Sequence, residues 1–272
     1  MKHELAKIED IKLAQVRIEK TVRKTPLQFN DRLSKLIQTN LWLKREDLQE
    51  VRSFKIRGAY NKISSLNPEE QKKGVVCSSA GNHAQGVAKS CNLMKMNGVI
   101  FMPTITPRQK IEQVKMFGGE YVEVILGGDT YDDSYEAATK FCVDHDKSFI
   151  HPFDDLLVIE GQATLAYEIL EQTEEKIDSI IVPIGGGGLV SGVLSVFKQL
   201  SPETKVIGVE PLGAPSMSTS LEKNEITTLD KIDPFVDGAS VKKVGNISFQ
   251  LCQKYLDEIL LIPEGKICQS IL

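Results

Sequence analysis

The chain has 272 residues, 41% apolar and 26% charged, with a formal net charge of -4. That length supports one large domain or two modest ones with ample core, and the acidic balance, without a basic patch interleaved with aromatics, argues against nucleic-acid and anionic-membrane partners. No apolar run approaches the ~20 residues of a membrane helix, and the charged start MKHELAKIED lacks the apolar stretch of a signal peptide. Five scattered cysteines (77, 91, 142, 252, 268) form no CxxC pair and fit buried, reduced thiols in a cytoplasmic protein. The four histidines (3, 83, 145, 151) show no metal-ligand spacing, so no metal site is expected.

In chain order, LWLKRE at 41–46 reads as a strand. Ser53 is expected to cap a helix running through Ile56, Ala59, Tyr60 and Ile63. VVCSS at 75–79 is a strand followed by the helical AGNHAQGVAKSC. GVIFMP at 98–103 precedes PRQKIEQVKMFG, where Pro107 suits a first helical turn and Gly118 its end. YVEVIL at 121–126 leads into the helical DDSYEAATKFCVDH. SIIVPI at 179–184 precedes GGGGLVSGVLSVFKQL, and KVIGVEP at 205–211 and EILLIP at 258–263 continue the pattern. The closing EGKICQSIL begins a helix that stops on apolar residues without a cap, as an interrupted element does. Strands alternating with helices predict βαβ units in mainly parallel sheets. Ligands in such folds sit at the carboxyl ends of strands, which directs attention to the loops after residues 79 and 184.

Three stretches carry chemistry. Gly185, Gly186, Gly187, Gly188 and Leu189 lie between a strand and a helix. Four glycines cost backbone entropy that a plain turn, satisfied by one or two, does not require. A cradle of backbone N–H groups at a helix start, suited to a phosphate dianion, explains them better. The loop lacks the Gly-Lys-Ser/Thr of a nucleoside triphosphate loop, and Val190 or Ser191 stands where a dinucleotide fingerprint needs its third glycine. Glu210, at about the ribose-binding spacing downstream, keeps a nucleotide as the weaker alternative. The second stretch is Ser79, Ala80, Gly81, Asn82 and His83, small residues whose amides could hold a carboxylate at a helix start. Asn82 also reads as a turn residue, and His83 reads better as a structural helix residue than as a catalytic one. In the third stretch, SFKIRGA, Lys55 sits between Phe54 and Ile56 in a first helical turn. Desolvation and the positive end of the helix dipole both favour its neutral amine, able to form a Schiff base. An amine, a phosphate cradle and a carboxylate loop fit one ligand set: an amino acid and pyridoxal 5'-phosphate.

KREDLQEVRSFKIRGAYN, SSAGNHAQGVA and PIGGGGLVSGV, in that order, resemble the threonine dehydratase (threonine ammonia-lyase) family of fold-type II pyridoxal-phosphate enzymes. The resemblance covers nearly the whole chain, including HPFDD, Gly161-Gln162 and VIGVEP. It implies an α/β fold of two open, twisted, mainly parallel sheets with helices on both faces. A large domain of residues 1–43 and 149–272 would carry an inserted small domain of residues 44–148. It implies that Lys55 binds the cofactor covalently, that Phe54 packs on its ring and that Asn82 meets its 3-hydroxyl. Gly185 to Leu189 would bind the phosphate, and the 79–83 loop the substrate carboxylate. The family's catalytic domain continues beyond this chain, supplying the serine or cysteine at the pyridine nitrogen. Its members form dimers or tetramers. Some relatives bind a cation near Glu210 and Ala214, but Ser216 replaces the usual acidic partner. The related serine racemases have a serine where Ala80 stands, so Ala80 points to elimination.

The implied reaction is removal of water from L-threonine, and from L-serine, giving 2-oxobutanoate or pyruvate and ammonia, in isoleucine biosynthesis or threonine breakdown. The rival readings are a serine racemase, a cysteine-synthase-type replacement enzyme, and a catalytically silent, truncated cofactor-binding module.

Overall fold

The computed structural model describes residues 3–271; Met1, Lys2 and Leu272, which fall in the expected large domain, lie outside the described residues. Helix α1 (Ile8–Ile18) buries Ile11, Ala14 and Ile18 along one stripe. Strands β1 (Leu27–Phe29) and β2 (Trp42–Lys44) pair antiparallel on either side of α2 (Asp31–Ile37) in sequence, with Gln28 opposite Leu43. The expected strand at 41–46 is thus shorter, because a single 3-10 turn takes over at Glu46. After α3 (Lys55–Ser64), helix α4 (Pro68–Lys73) is built by local rules alone. Asn67 and Glu70 form a capping box, Pro68 takes the first helical position, and Gly74 leaves at φ +84°.

The first sheet contains β3 (Val75–Ser78), β4 (Gly98–Met102), β5 (Val122–Leu126) and β6 (Ser148–Phe149) in the order β5-β4-β3-β6, all parallel. The crossovers are α5 (Asn82–Met94), α6 (Arg108–Gly118) and α7 (Tyr131–Asp144). Cys77 stands opposite Ile100, and Ile100 opposite Val124. Because helices cover both faces, β3 and β4 are buried at every position, as parallel strands usually are. One face packs Val75, Cys77, Ile100 and Met102 on Ala59, Ile63, Ala84 and Val87; the other packs Val76, Val99 and Phe101 on Ala138 and Cys142.

Helix α8 (Leu156–Gln172) leads to the second sheet, β7 (Ser179–Pro183), β8 (Lys205–Pro211) and β9 (Glu258–Ile262), parallel in that order. Helices α9 (Gly188–Leu200), α10 (Ser216–Lys223) and α11 (Asn246–Tyr255) lie between its strands, and α12 (Glu264–Ile271) follows. Val182 and Val206 pack with Val190, Val193, Leu194 and Phe197 of α9 and with Leu165 and Ala166 of α8. On the opposite face Ile181 is 60% and Leu260 41% exposed. The expected pair of mainly parallel sheets flanked by helices is the observed architecture, with one face of the second sheet open at these positions.

Helix α8 is the member both halves share. A Cβ added at Gly161 would lie 2.6 Å from the Arg57 carbonyl oxygen and the Gly58 Cα of α3, and one added at Gly192 of α9 would lie 2.7 Å from the Ala163 nitrogen. Backbone therefore touches backbone on both sides of α8. Across the α3 contact lies a buried ionic network. The Arg57 guanidinium, fully buried, donates to Glu46 at 2.8 Å, to Glu168 at 2.7 Å and to Thr164 at 3.0 Å, while Lys44 donates to Glu168 at 2.5 Å. Burial works against the Arg57 charge, but Glu46 and Glu168 outweigh it and hold the group protonated.

Gly161→Ala should push α3 away from α8 and cost about 1–3 kcal/mol, the usual penalty of overpacking. Urea denaturation checks this; a loss below about 0.5 kcal/mol would show that the contact yields without strain.

Candidate active site

Lys55 is the first residue of α3. Phe54 precedes it with helical dihedrals and no capping side-chain bond. The expected Ser53 cap does not form: its hydroxyl is buried without a hydrogen-bond partner. The chain enters α3 from a tight bend with Arg52 at φ +58°, not from the extended geometry that a serine cap uses. The Lys55 amine is buried, and burial lowers its pKa to about 8. Its Nζ donates to the Pro152 carbonyl at 2.9 Å and lies 5.5 Å from the centre of the Phe54 ring. No carboxylate among the described residues opposes the desolvation; the amine faces a neutral carbonyl and an aromatic face.

From Lys55 a closed ring of contacts can be followed. A Cβ at Gly86 of α5 would lie 3.1 Å from the Lys55 carbonyl, so α5 and α3 meet backbone to backbone. Asn82 and His83 form the first turn of the same helix, whose leading amides have no partner within the helix. Before them, the Ser79 hydroxyl accepts from the Gly81 amide at 3.2 Å, which folds the 79–83 loop on itself. A Cβ at Gly81 would be 3.7 Å from the Asp237 carboxylate, and one at Gly238 would be 3.9 Å from the Asn82 side-chain nitrogen. The neighbouring Ala239 closes on Gly185, where a Cβ would be 3.1 Å from its Cα. In the glycine turn, a Cβ at Gly186 would fall 2.2 Å from the Phe153 ring and one at Gly188 2.9 Å from the Phe153 Cα. Phe153 follows Pro152, whose carbonyl returns to Lys55. The three stretches singled out in the sequence thus border one site.

The glycine turn matches the demands of a phosphate. Gly187 caps α9 at φ +94°, a region that favours glycine, and the first amides of α9 are free of intrahelical partners. Side chains at Gly186 and Gly188 would displace Phe153, so the backbone is the only surface the turn presents there. A buried, easily neutralised amine and a backbone anion cradle joined through residues 152–153 fit pyridoxal phosphate. Leu189 turns into the core behind the cradle, and Ala80 packs on the core of the first sheet.

His83 belongs to the framework. Its Nε2 lies 2.8 Å from the Ile150 carbonyl, which can only accept, so Nε2 carries the proton. Burial, with a contribution from Lys55, lowers its pKa to about 3, and the ring stays neutral. Glu210 spends both oxygens on the Met217 and Ser218 amides at 2.8 Å, capping α10, while burial raises its pKa to about 7.

Two segments of the ring are not legible from chemistry-bearing residues. Residues 237–239 carry no chemical signal in sequence. The 151–155 turn, HPFDD, enters the sequence reading through the family resemblance; by residue chemistry it is marked by Asp155 ahead of an apolar run, which is a helix-start signal. Asp155 does cap α8, accepting from Leu157 at 2.8 Å, and pairs with Lys62 of α3 at 2.7 Å. Asp154 accepts the Asn246 and Ile247 amides at 2.9 and 2.8 Å, tying α11 to the same turn.

A family model described as pyridoxal-phosphate dependent enzyme matches residues 18–272. The chain is 56% identical over 265 residues to the L-threonine dehydratase biosynthetic IlvA of Halalkalibacterium halodurans, covering 97% of this chain and 64% of that protein. It is 52% identical over 268 residues to the Bacillus subtilis protein of the same name, covering 98% and 64%. The chain therefore spans 64% of the length of these relatives. Among solved structures, processed threonine deaminase isoform 2 of Solanum lycopersicum superimposes with a TM-score of 0.89 at 39% identity, over 100% of this chain and 80% of that one. Maize serine racemase superimposes at 0.93 and 32% identity, over 98% and 80%.

The Lys55 pKa has a stability consequence. The folded amine gives up its proton near pH 8, the unfolded one near 10.5. Between those values the unfolded chain binds more protons, so stability rises with pH; below about 8 the full cost of the buried charge is present. Lys55→Met should therefore stabilise the fold by of order 1–3 kcal/mol at pH 7. The gain should vanish above pH 10.5. Urea titrations at the two pH values test this, and a destabilised mutant at pH 7 would contradict it.

Proposed function

The chain belongs to the pyridoxal-phosphate-dependent enzyme family, and we propose that it acts as a threonine dehydratase, converting L-threonine to 2-oxobutanoate and ammonia and L-serine to pyruvate and ammonia. The observation that carries this reading is the buried Lys55 amine, with its pKa near 8, held in one ring of contacts with the glycine turn. Bound there, pyridoxal phosphate supplies an aldehyde that takes up an amine and a ring that accepts electron density from the substrate Cα–H bond.

The chain's own residues have separable roles in this proposal. At pH 7 roughly a tenth of Lys55 is neutral, against less than about one part in a thousand for an ordinary lysine. That neutral fraction makes Lys55 both the covalent anchor and the base that takes the α-proton. Gly185, Gly186, Gly187, Gly188 and Leu189 offer main-chain amides at the α9 N-terminus to the phosphate. The 79–83 loop receives the substrate carboxylate: Ala80 and, in the first turn of α5, Asn82 and His83 offer their amides, while Ser79, whose amide donates to the Phe101 carbonyl at 3.1 Å, and Gly81, whose amide donates to the Ser79 hydroxyl, shape the loop; Asn82 also serves the cofactor's 3-hydroxyl. The His83 imidazole, spent on Ile150, contributes its backbone only. Phe54 lines the site beside Lys55. In net terms the α-hydrogen, taken first by Lys55, and the β-hydroxyl leave as one water, and the enamine that remains adds water on hydrolysis to yield the keto acid and ammonia. Ala80 has no hydroxyl with which to return a proton on a second face, which favours elimination over racemisation.

The division into a large domain (1–43 and 149–272) and a small one (44–148) belongs to the same proposal, supported by the separate cores of the two sheets. So does self-association into a dimer or tetramer, supported by exposed Phe29, Leu36, Ile37, Trp42 and Leu43 on β1, α2 and β2. No helix among the described residues is long and apolar enough to cross a membrane, and a cytoplasmic location is supported by the free cysteines.

Incubated with pyridoxal phosphate and threonine, the chain should release 2-oxobutanoate, and Lys55→Ala should abolish both turnover and the visible absorption of lysine-bound cofactor. Serine should also be used, its kcat/KM within about 10–200-fold of that for threonine, the worth of one methyl. Turnover by Lys55→Ala near the wild-type rate, or cofactor absorption without keto acid from the wild type, would defeat the assignment. In sedimentation experiments a monomer at all concentrations would remove the self-association.

A further inference from the structure

His151 takes no part in the reading above, yet it shapes the turn on which Lys55 rests. Its Nδ1 accepts from the Asp154 amide at 2.7 Å and from the Phe153 amide at 3.3 Å. A ring nitrogen that accepts carries no proton, so the imidazole is neutral with its hydrogen on Nε2. The side chain thereby closes a small loop around Pro152, whose carbonyl receives the Lys55 amine at 2.9 Å. The imidazole is wedged between Phe153, edge-on at 4.8 Å, and Tyr135 of α7, at 6.3 Å. The groups that face it are Asp154 and Asp155 on its own turn, Lys55 on α3, Tyr135 on α7 and His83 on α5. Burial and Lys55 favour the neutral ring and the two aspartates oppose them, with burial prevailing.

We propose that His151 is a positioning residue for Lys55: by accepting the amides of residues 153 and 154 it fixes the Pro152 carbonyl as the resting acceptor of the free amine. Such an acceptor holds the nitrogen in one place whenever it is not bonded to cofactor, including the moment at which it must reach a substrate proton. The inference rests on the reading of Lys55 as the reacting amine.

The test is borohydride trapping of the full chain with pyridoxal phosphate over a range of pH. The adduct on Lys55 is quantified by mass spectrometry in wild type, His151→Leu and His151→Asn. The amine attacks the aldehyde carbon, water leaves, and borohydride delivers hydride to the C=N carbon, giving a stable secondary amine. His151→Leu should lower the limiting rate at high pH by about two- to tenfold, the worth of one oriented hydrogen bond. Its pH midpoint should stay or fall, because a misplaced carbonyl no longer supports the ammonium. Asparagine presents Oδ1 where histidine presents Nδ1 and can accept the same two amides in an Asx turn, so His151→Asn should keep the wild-type rate. The proposal is overturned by an unchanged limiting rate in His151→Leu, by a midpoint rising towards 10.5 as in a site merely opened to water, or by His151→Asn as slow as His151→Leu. An adduct on another lysine in the wild type would instead overturn the reading of Lys55 itself.

Discussion

Everything at this site depends on an amine buried without a counter-charge. Two cations stand two residues apart on α3 and are treated in opposite ways. Arg57, fully buried, is met by Glu46 and Glu168 and stays charged. Lys55, also buried, is met by a backbone carbonyl and an aromatic ring, and its pKa falls to about 8. A carbonyl accepts a hydrogen bond from either protonation state of an amine, whereas a carboxylate would hold it as the ammonium. The Arg57 network thus secures the first turns of α3 against α8 without lending Lys55 any negative charge.

The second constraint is closeness of backbones. A ligand gripped by main-chain amides requires elements that approach one another without side chains between them. The glycines act at those approaches: Gly86 against Lys55, Gly161 against Arg57 and Gly58, and Gly186 and Gly188 against Phe153. In the glycine turn Gly187, at φ +94° and with a Cβ position 2.5 Å from the Ser248 Cβ, is required by conformation as well as by space. Helix α8 transmits this closeness, since one of its sides receives α3 and the other α9. Lys55 and the glycine turn belong to those two helices, so their separation is set through one rigid element together with the turn that precedes it.

These two constraints also explain what was legible in the chain. Elements with strong local signals are legible: the β4 run GVIFM, the strand–glycine–helix at 179–200, and the helix Arg108–Gly118, for which Pro107 stands at the N-cap and not in the expected first turn. Lys55 was legible because its flanking apolar residues announce desolvation on their own. The Ser53 cap is misread in sequence because a serine ahead of a helix looks the same whether the chain arrives extended or through a bend such as that at Arg52, φ +58°. β2 falls within the strand read at 41–46, but its antiparallel partner β1 is not legible, because a three-residue strand carries no measurable period. Glu210 suggested a ligand by its spacing, yet its oxygens close the start of α10.

The 151–155 turn shows most clearly why a site cannot be read from reactive residues alone. None of its side chains needs to touch a substrate, yet it meets four elements. Pro152 meets Lys55 of α3, Phe153 fills the space against the glycine turn before α9, Asp154 caps α11, and Asp155 caps α8 while pairing with Lys62. A displacement of this turn would move the amine, the anion cradle and two helix starts together. Its residue types read as an ordinary loop and helix cap, because what it contributes is the relative placement of groups whose chemistry is written elsewhere in the chain. In this chain the reactive groups are announced by composition, and the distances between them are set by hydrogen bonds that composition does not announce.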